Sequence, residues 1–390
     1  MTTEPRCHFL TGGDIAPEGI EPSGMFGALE SLFRNADLSF LNVEHPLSQR
    51  GVPVRGKKFL HRGRNEHIQG LVDAGVSAIN LANNHILDFG DDALLDTIAK
   101  FENNNIPCFG AGANISIASA PLLIEKNGLK IGLLGYTSTL PTGFAAGPQM
   151  AGVNPLRVRT AYRPAYNLDE LPGTAPIIET WPDSEDLAQM TSSVANLKSR
   201  VDIVLVYVHW GVSMVPQVHE HQRTIGKAAI DAGADAVFGG HQHVVSAVEF
   251  HHGKPIVHCT GDLIFDVVEP WFDESTERNF LFGATLTKSG LSDCYALGCR
   301  TGVGRAPTLE PPGTPIGDKI VSDLKLFSEP YGTAVRVSGE RILLSASDAQ
   351  PFVPRYDAAL HTMGYPSAAL HEATSMARST VKSSGEQYLK

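Results

Sequence analysis

Short apolar runs alternate with amphipathic stretches of helical length over the first third of the chain. "HFLTGGDI" is followed by a helical period over 25–34, "DLSFLNVE" by one over 65–74, and "VSAINLANNH" by one over 91–102. Runs of period two, separated by stretches of period 3.6, predict β-α-β units and hence a parallel sheet. "PLLIEKNGLKIGLLGYTS" sets two apolar runs around Asn127-Gly128, a pair that readily turns through left-handed backbone, and so predicts a hairpin. Residues 140–182 are rich in Pro, Gly and Ala with little periodicity, which reads as a long ordered loop or insertion, a lid in many enzymes. The alternation then returns: a helix over 184–199, the strand "VDIVLVYVHWG", a helix over 219–232 and the strand "ADAVFGG". A hairpin-like pair, "SAVEFHHGKPIVHCTGDLIFD", and strand candidates in 279–299 follow. "AVRVSGERILLS" predicts one further hairpin, and 346–390 is Ser- and Ala-rich with little core signal.

Polar residues fall at equivalent places in this pattern. Asp14 follows "FLTGG", Glu44 follows "SFLNV", Asn84 and His85 follow "AINLAN", His209 follows "VLVYV", and His241 and His243 follow "AVFGG". In an open α/β sheet, ligands bind outside the carboxyl ends of the strands. Taken singly, each residue has a structural explanation. Asp14 after two glycines suits a turn or helix cap, Asn83-Asn84 suits a turn, Glu44 suits a solvated strand end, and His209 beside Trp210 suits a half-buried core histidine. Independent turns would not place all of them at the same strand edge. Imidazole, carboxylate and amide oxygen form the mixed ligand set that suits Zn, Mn, Fe or Co, and a bridging carboxylate can hold two such ions about 3.5–4 Å apart. Gly239 and Gly240 would let the backbone approach such ions and turn sharply.

Charge and composition narrow the partners. The 390 residues carry a formal charge of −11, against a nucleic-acid or anionic-membrane binder. The start, "MTTEPRC", has no basic stretch leading into a long apolar one, and no window approaches the ~20 apolar residues of a spanning helix. The five cysteines are odd in number, widely spread and without a Cys-x-x-Cys, so neither a disulfide framework nor a thiolate zinc site is indicated. These features predict a cytoplasmic protein with neither nucleic acid nor a membrane as partner. "RGKKFLHRGR", residues 55–64, is the basic stretch near these motifs, either a source of anion contacts or a solvated loop. Gly110-Ala111-Gly112 lacks the Gly-Lys-Ser/Thr of a phosphate loop and reads as structural. His251, His252 and His258 read as surface or strand residues, with His258 near enough to Gly261-Asp262 to approach the site. Trp210 and Phe265 are either pocket walls or core.

"GGDIAP", "NVEHPL", "LANNHILDFG" followed by "GAGAN", "VHWG", "GADAVFGGHQH" and "GDLIFD" resemble, in this order, the bacterial CapA family associated with poly-γ-glutamate capsule synthesis. That family is similar in turn to the calcineurin-like metallophosphatases. The resemblance covers residues 9–266 and implies a four-layer α/β/β/α sandwich of two mixed sheets flanked by helices. It implies a catalytic domain at 5–345, with an insertion or lid at 140–182 and C-terminal strands at 279–345, then a C-terminal extension at 346–390. Carried over residue by residue, it makes Asp14 and His243 ligands of a first divalent metal and Glu44 a bridge. Asn84, His209 and His241 become ligands of a second, and His85 the proton donor to the leaving oxygen, with Asp88 orienting it.

Two departures stand out. The phosphatase Asp-x-His start is Asp14-Ile15-Ala16 here, one imidazole short at the first metal, and the bridge is Glu rather than Asp. The implied activity is a metal-dependent hydrolase using a metal-bound hydroxide on a phosphate mono- or diester, with two Mn, Zn or Fe ions. Such ions bring the pKa of a bridging water from about 16 towards about 7. Metal-assisted amide chemistry on γ-glutamyl or related peptide compounds is a second reading, and a non-enzymatic accessory subunit of poly-γ-glutamate synthesis a third.

Overall fold

Cys7–Thr11 joins two halves of the larger sheet. It runs parallel to Leu38–Asn42 on one side, with Phe9 opposite Leu38, and antiparallel to Arg278–Thr287 on the other, with Phe9 opposite Ala284. The computed structural model describes residues 4–165, 169–269 and 271–347. Within them this sheet continues through Ala78–Asn80 to Cys108–Phe109 at one end, all parallel. At the other end come Gly290–Gly302, Arg341–Ala346 and Thr333–Ser338, with Arg305–Leu309 beside Gly290–Gly302. The C-terminal strands therefore extend this sheet. The extension drawn at 346–390 lies outside the described residues from 348 onward.

The smaller sheet runs in the order Val248–His251, Lys254–Val257, Ala236–Gly240, Ile203–His209, Leu129–Thr137, Leu122–Lys126. Its four central strands are parallel and its two edges antiparallel. The edge strand Leu122–Lys126 turns at Asn127 (φ 49°) and Gly128 (φ 79°), the double left-handed turn that Asn-Gly predicts. Strand Ile203–His209 shows why both faces are apolar. Ile203, Leu205 and Tyr207 point into the layer between the sheets, while Val204, Val206 and Val208 point to the helices outside.

An aromatic seam joins the sheets: Phe9 lies 5.5 Å from Phe238, which lies 5.4 Å from Phe282, and Phe40 lies 6.1 Å from Tyr207. Each such pair adds about 0.5–1.5 kcal/mol beyond its buried area. Outside the larger sheet, Phe33, Leu71, Leu94 and Phe101 of helices Glu30–Asn35, His67–Asp73 and Asp91–Asn103 cover Leu10, Leu41 and Ile79. Outside the smaller one, Met190, Val194 and Leu197 of Ser184–Lys198 and Ile225 and Ala229 of Glu220–Asp231 pack on the valines. The four-layer sandwich follows.

Helix Pro315–Ser328 has no counterpart in the sequence reading. Thr314 caps it by accepting from Gly317 N at 3.0 Å, proline opens its first turn, and Ile320, Val321 and Leu324 enter the layer between the sheets. The stretch 140–182 resolves into two parts. Phe144, Ala151, Val153 and Leu156 are buried, and Gly152–Val153 pairs with Ala111–Gly112, so the first part is packed structure. The second forms a hairpin of Val158–Arg163 and Ile177–Pro182 with mostly exposed side chains.

Candidate metal centre

Chain geometry brings the strand ends together. Thr11 leads through two glycines to Asp14; a Cβ on Gly13 would sit 2.0 Å from the Gly261 carbonyl oxygen, so only glycine lets these backbones touch. Asp14 N–H donates to that carbonyl at 3.2 Å, and Asp14–Ala16 pairs in parallel with Asp262–Phe265, Asp14 opposite Asp262. Asp14, His243 and Asp262 form one buried cluster, and Glu44, His209 and His241 another, each with its ligating atoms within 4.8 Å of one another. The clusters adjoin: the His241 ring lies 5.0 Å from that of His209 and 5.7 Å from that of His243.

The glycines before His241 act differently from the expectation. A Cβ on Gly239 would meet Trp210 Nε1 at 2.1 Å, and one on Gly240 would meet the Tyr207 hydroxyl at 2.1 Å and Asp14 Oδ1 at 2.6 Å. They clear space for neighbouring side chains. The sharp turn is made instead by the histidines, with φ 83° at His241 and φ 57° at His243, a left-handed conformation that costs non-glycine residues free energy and collects at functional sites. His241 N–H then donates to Asp14 Oδ2 at 2.8 Å.

The two clusters differ in how far protein groups satisfy them. Asp14 Oδ1 accepts from Asn42 Nδ2 at 2.8 Å and from the Tyr207 hydroxyl at 3.1 Å, and His243 Nδ1 lies 2.9 Å from Asp262 Oδ1. In the other cluster, His209 Nε2 lies 2.8 Å from Asn84 Oδ1 and 3.4 Å from Glu44 Oε1. Both Glu44 oxygens and His241 Nδ1 are buried without a hydrogen-bond partner. Burial pushes the Glu44 carboxyl upward, but His243, His209 and His85 outweigh it and hold it well below the usual carboxylate range. Burial and the neighbours His209 and His243 push His241 well below the usual imidazole range, so it presents a neutral, ligating nitrogen. An ionised carboxylate and a neutral imidazole, both unsatisfied and facing each other, fit a divalent cation.

His85 stands beside this centre. Its Nδ1 lies 2.7 Å from Asp88 Oδ2, which also accepts from His61 N–H at 2.8 Å. Asp88 is fully buried and its other oxygen accepts from Lys57, whose ammonium also donates to the Asn84 carbonyl at 2.6 Å. The basic stretch is thus mixed: Arg55 and Lys58 are exposed, while Lys57, Arg62 and Arg64 are half-buried. Lys57 clamps the His85 loop from inside, while Arg62 lies over Phe89 at 3.3 Å and Arg64 bonds the Ile20 carbonyl.

Every residue singled out at the strand ends, Asp14, Glu44, Asn84, His85, His209, His241 and His243, lies at this edge of the sandwich. Asp262, Tyr207, Asn42 and Lys57 were not singled out. Asp262 lies opposite Asp14 and gives the first cluster a second carboxylate, while Ala16 lies opposite Phe265. His258 is fully buried but away from the centre, 3.7 Å from Glu249, and Trp210 is core, its Nε1–H donating to the His258 carbonyl. Phe265 does wall the site, 4.7 Å from the His243 ring.

A four-layer α/β sandwich with two histidine–carboxylate clusters at its carboxyl strand edge is a metallophosphatase-like architecture. The family described as "Bacterial capsule synthesis protein PGA_cap" matches residues 9–267, and this chain belongs to it. The chain is 30% identical over 244 residues to PGA biosynthesis protein CapA of Bacillus subtilis (strain 168), covering 62% of this chain and 57% of that protein. It is 27% identical over 235 residues to a probable polyglutamine synthesis accessory protein of Mycobacterium tuberculosis, covering 59% and 56%. The chain thus spans a little over half the length of these curated relatives. Among solved structures, a hypothetical protein from Thermus thermophilus aligns at 14% identity with a TM-score of 0.42, covering 75% of this chain and 98% of that one. Among the described residues no helix is long and apolar enough to cross a membrane, and all five cysteines are free.

Proposed function

We propose that this protein is a metal-dependent hydrolase of a phosphate mono- or diester, with Asp14, His243 and Asp262 holding one divalent cation and His209, His241 and Asn84 a second. Glu44, grouped with His209 and His241, would be shared by the two. The observation that carries this reading is Glu44 itself, a fully buried carboxylate with no hydrogen bond to either oxygen, beside an unpartnered His241 nitrogen. Leaving such a group unsatisfied costs several kcal/mol, a cost that a bound cation removes. Bound there, two such ions would supply Lewis acidity to a water and to the attacked phosphoryl group.

The chain's own residues complete the chemistry. His85 Nδ1 lies 2.7 Å from Asp88 Oδ2 and 2.9 Å from the Lys57 ammonium, contacts that fix the ring and leave Nε2 to face the leaving oxygen and hand it a proton. Burial lowers the pKa of His85, while Asp88 and Glu44 work against that shift. Lys57 holds Asp88 and the Asn84 backbone in one arrangement, so the proton donor and a ligand share a support.

A second reading follows from the relatives, one named for PGA biosynthesis and another as a synthesis accessory protein. The same centre would polarise the amide carbonyl of a γ-glutamyl compound. As an accessory subunit, the protein would keep its role in cells without turnover. Protein loaded with Mn²⁺ or Zn²⁺ and assayed against phosphate mono- and diesters and γ-glutamyl peptides separates the three. Phosphate-ester turnover lost on His85→Ala is the expected outcome. A folded, fully loaded protein with no ester turnover would overturn it, peptide cleavage would establish the amide reading, and full cellular function of His85→Ala the accessory one.

A further inference from the structure

We propose that Glu18, His45 and His61 form a third cation site, for a borderline divalent ion such as Zn²⁺, Fe²⁺ or Mn²⁺, distinct from the two clusters above and independent of the hydrolase reading. Their ligating atoms lie within 4.8 Å of one another. Glu18 Oε1 is 2.8 Å from His61 Nδ1 and 3.9 Å from His45 Nδ1. His45 is 1% exposed, and its Nδ1 has no hydrogen-bond partner. A buried imidazole nitrogen turned towards a carboxylate without reaching it is an unmet polar group, and such groups in folded proteins usually mark a missing ligand or water.

Two further features fit an ion. The His45 and His61 rings stack at 4.9 Å with planes 9° apart, and the hydrogen bond between His61 Nδ1 and Glu18 Oε1 at 2.8 Å is one that a cation held between them would replace. His61 also sets its second nitrogen, Nε2, 3.2 Å from Glu269 Oε1. Metal-binding histidines commonly donate their other N–H to a carboxylate in this way, which fixes the tautomer and turns the free nitrogen to the metal. Two imidazoles and one carboxylate form the set found in open zinc and non-haem iron sites. Glu18 is 36% exposed and gives the site access to solvent. The cluster borders the proton donor, with the rings of His61 and His45 at 5.0 and 5.9 Å from that of His85.

The test is elemental analysis of the intact protein after Zn²⁺ saturation and desalting, in the wild type, Glu18→Ala, His61→Ala and His241→Ala, with melting curves confirming folding. Glu18→Ala and His61→Ala are each expected to lose one equivalent of zinc. Glu269→Gln, which removes only the orienting carboxylate, is expected to weaken one class of zinc site about 10–100-fold in a chelator competition. Co²⁺ substitution gives an independent readout, a visible band lost in Glu18→Ala and retained in His241→Ala. Unchanged zinc content in both Glu18→Ala and His61→Ala would overturn the proposal, whatever His241→Ala shows. A single equivalent that survives His241→Ala and disappears in Glu18→Ala would uphold it while removing the binuclear centre.

Discussion

Glu249 and Glu44 are both buried carboxylates in the smaller and larger halves of the sandwich, 3% and 0% exposed, and their surroundings could hardly differ more. Glu249 accepts from Arg223 through both of its oxygens, at 3.0 and 2.8 Å, with the Lys227 ammonium at 3.1 Å and His258 at 3.7 Å. Glu44 has no donor on either oxygen. Burial raises the carboxyl pKa in both, and in both neighbouring positive groups reverse the shift: His258 and Arg223 hold Glu249 well below the usual range, as the histidines do Glu44. Charge alone therefore does not distinguish a structural from a functional carboxylate. Hydrogen bonding does, because a paired buried ion stabilises the fold and an unpaired one asks for a ligand.

The largest expected effect tests the functional side. His85→Ala should lower kcat on a phosphate ester by about 10²–10⁴-fold, the usual contribution of a positioned proton donor, with zinc content unchanged. A parallel fall in zinc content would make His85 part of the binding site instead. Next comes the structural side: Arg223→Met should destabilise the protein by about 3 kcal/mol, the low end for breaking a buried ion pair because Lys227 remains. Denaturant unfolding measures it, and the zinc content should not move. Glu44→Gln should reverse that pattern, losing zinc while changing the stability of the chelated protein less than Glu249→Gln does.

Acid sharpens the same contrast. The folded-state pKa of Glu249 lies below its ordinary value of 4.5, so its contribution is complete above that pH and is lost as pH falls towards the folded value. Glu249→Gln should therefore be less stable than wild type at neutral pH and show a flatter loss of stability below pH about 4.5. Parallel curves over that range would mean that the Arg223 pair contributes nothing.

Much of the candidate metal centre is legible in the sequence because polar residues at strand ends keep a fixed relation to apolar runs. A period-two run such as "VLVYVH" announces both the strand and where it stops, and the residue after it must lie at the sheet edge. The alternation that revealed His209 also contained Tyr207, two residues earlier on the same face, but a tyrosine inside a buried strand looks like core until its hydroxyl is seen 3.1 Å from Asp14. Asp262 lies within "GDLIFD", whose apolar run reads as a strand. Its role depends on the Gly13–Gly261 contact between segments almost 250 residues apart, which no local pattern encodes. Lys57 and His61 were hidden in a basic run because composition does not tell which side of a loop faces inward. Helix Pro315–Ser328 is hard to read although Thr314-Pro315 is a start signal, since "EPPGTP" around that start is rich in residues that break periodicity.

The smallest expected effect falls where the two clusters meet. The Tyr207 hydroxyl donates to Asp14 Oδ1 and lies 3.3 Å from His209 Nδ1, so one oxygen touches a residue of each cluster. Gly240 is cut away to hold it, because a Cβ there would lie 2.1 Å from that oxygen. Tyr207→Phe keeps the ring and its packing on Phe40 while removing this link. Asp14 retains its bonds from Asn42 and the His241 backbone, so the loss should be near the bottom of the range for an outer hydrogen bond. About 1 kcal/mol in stability and about tenfold in zinc affinity are expected. If the two clusters act as one centre, a chelator competition will show both zinc equivalents weakened together. Weakening of one equivalent alone would show Tyr207 serving a single cluster, and the binuclear reading would then rest on Glu44 alone.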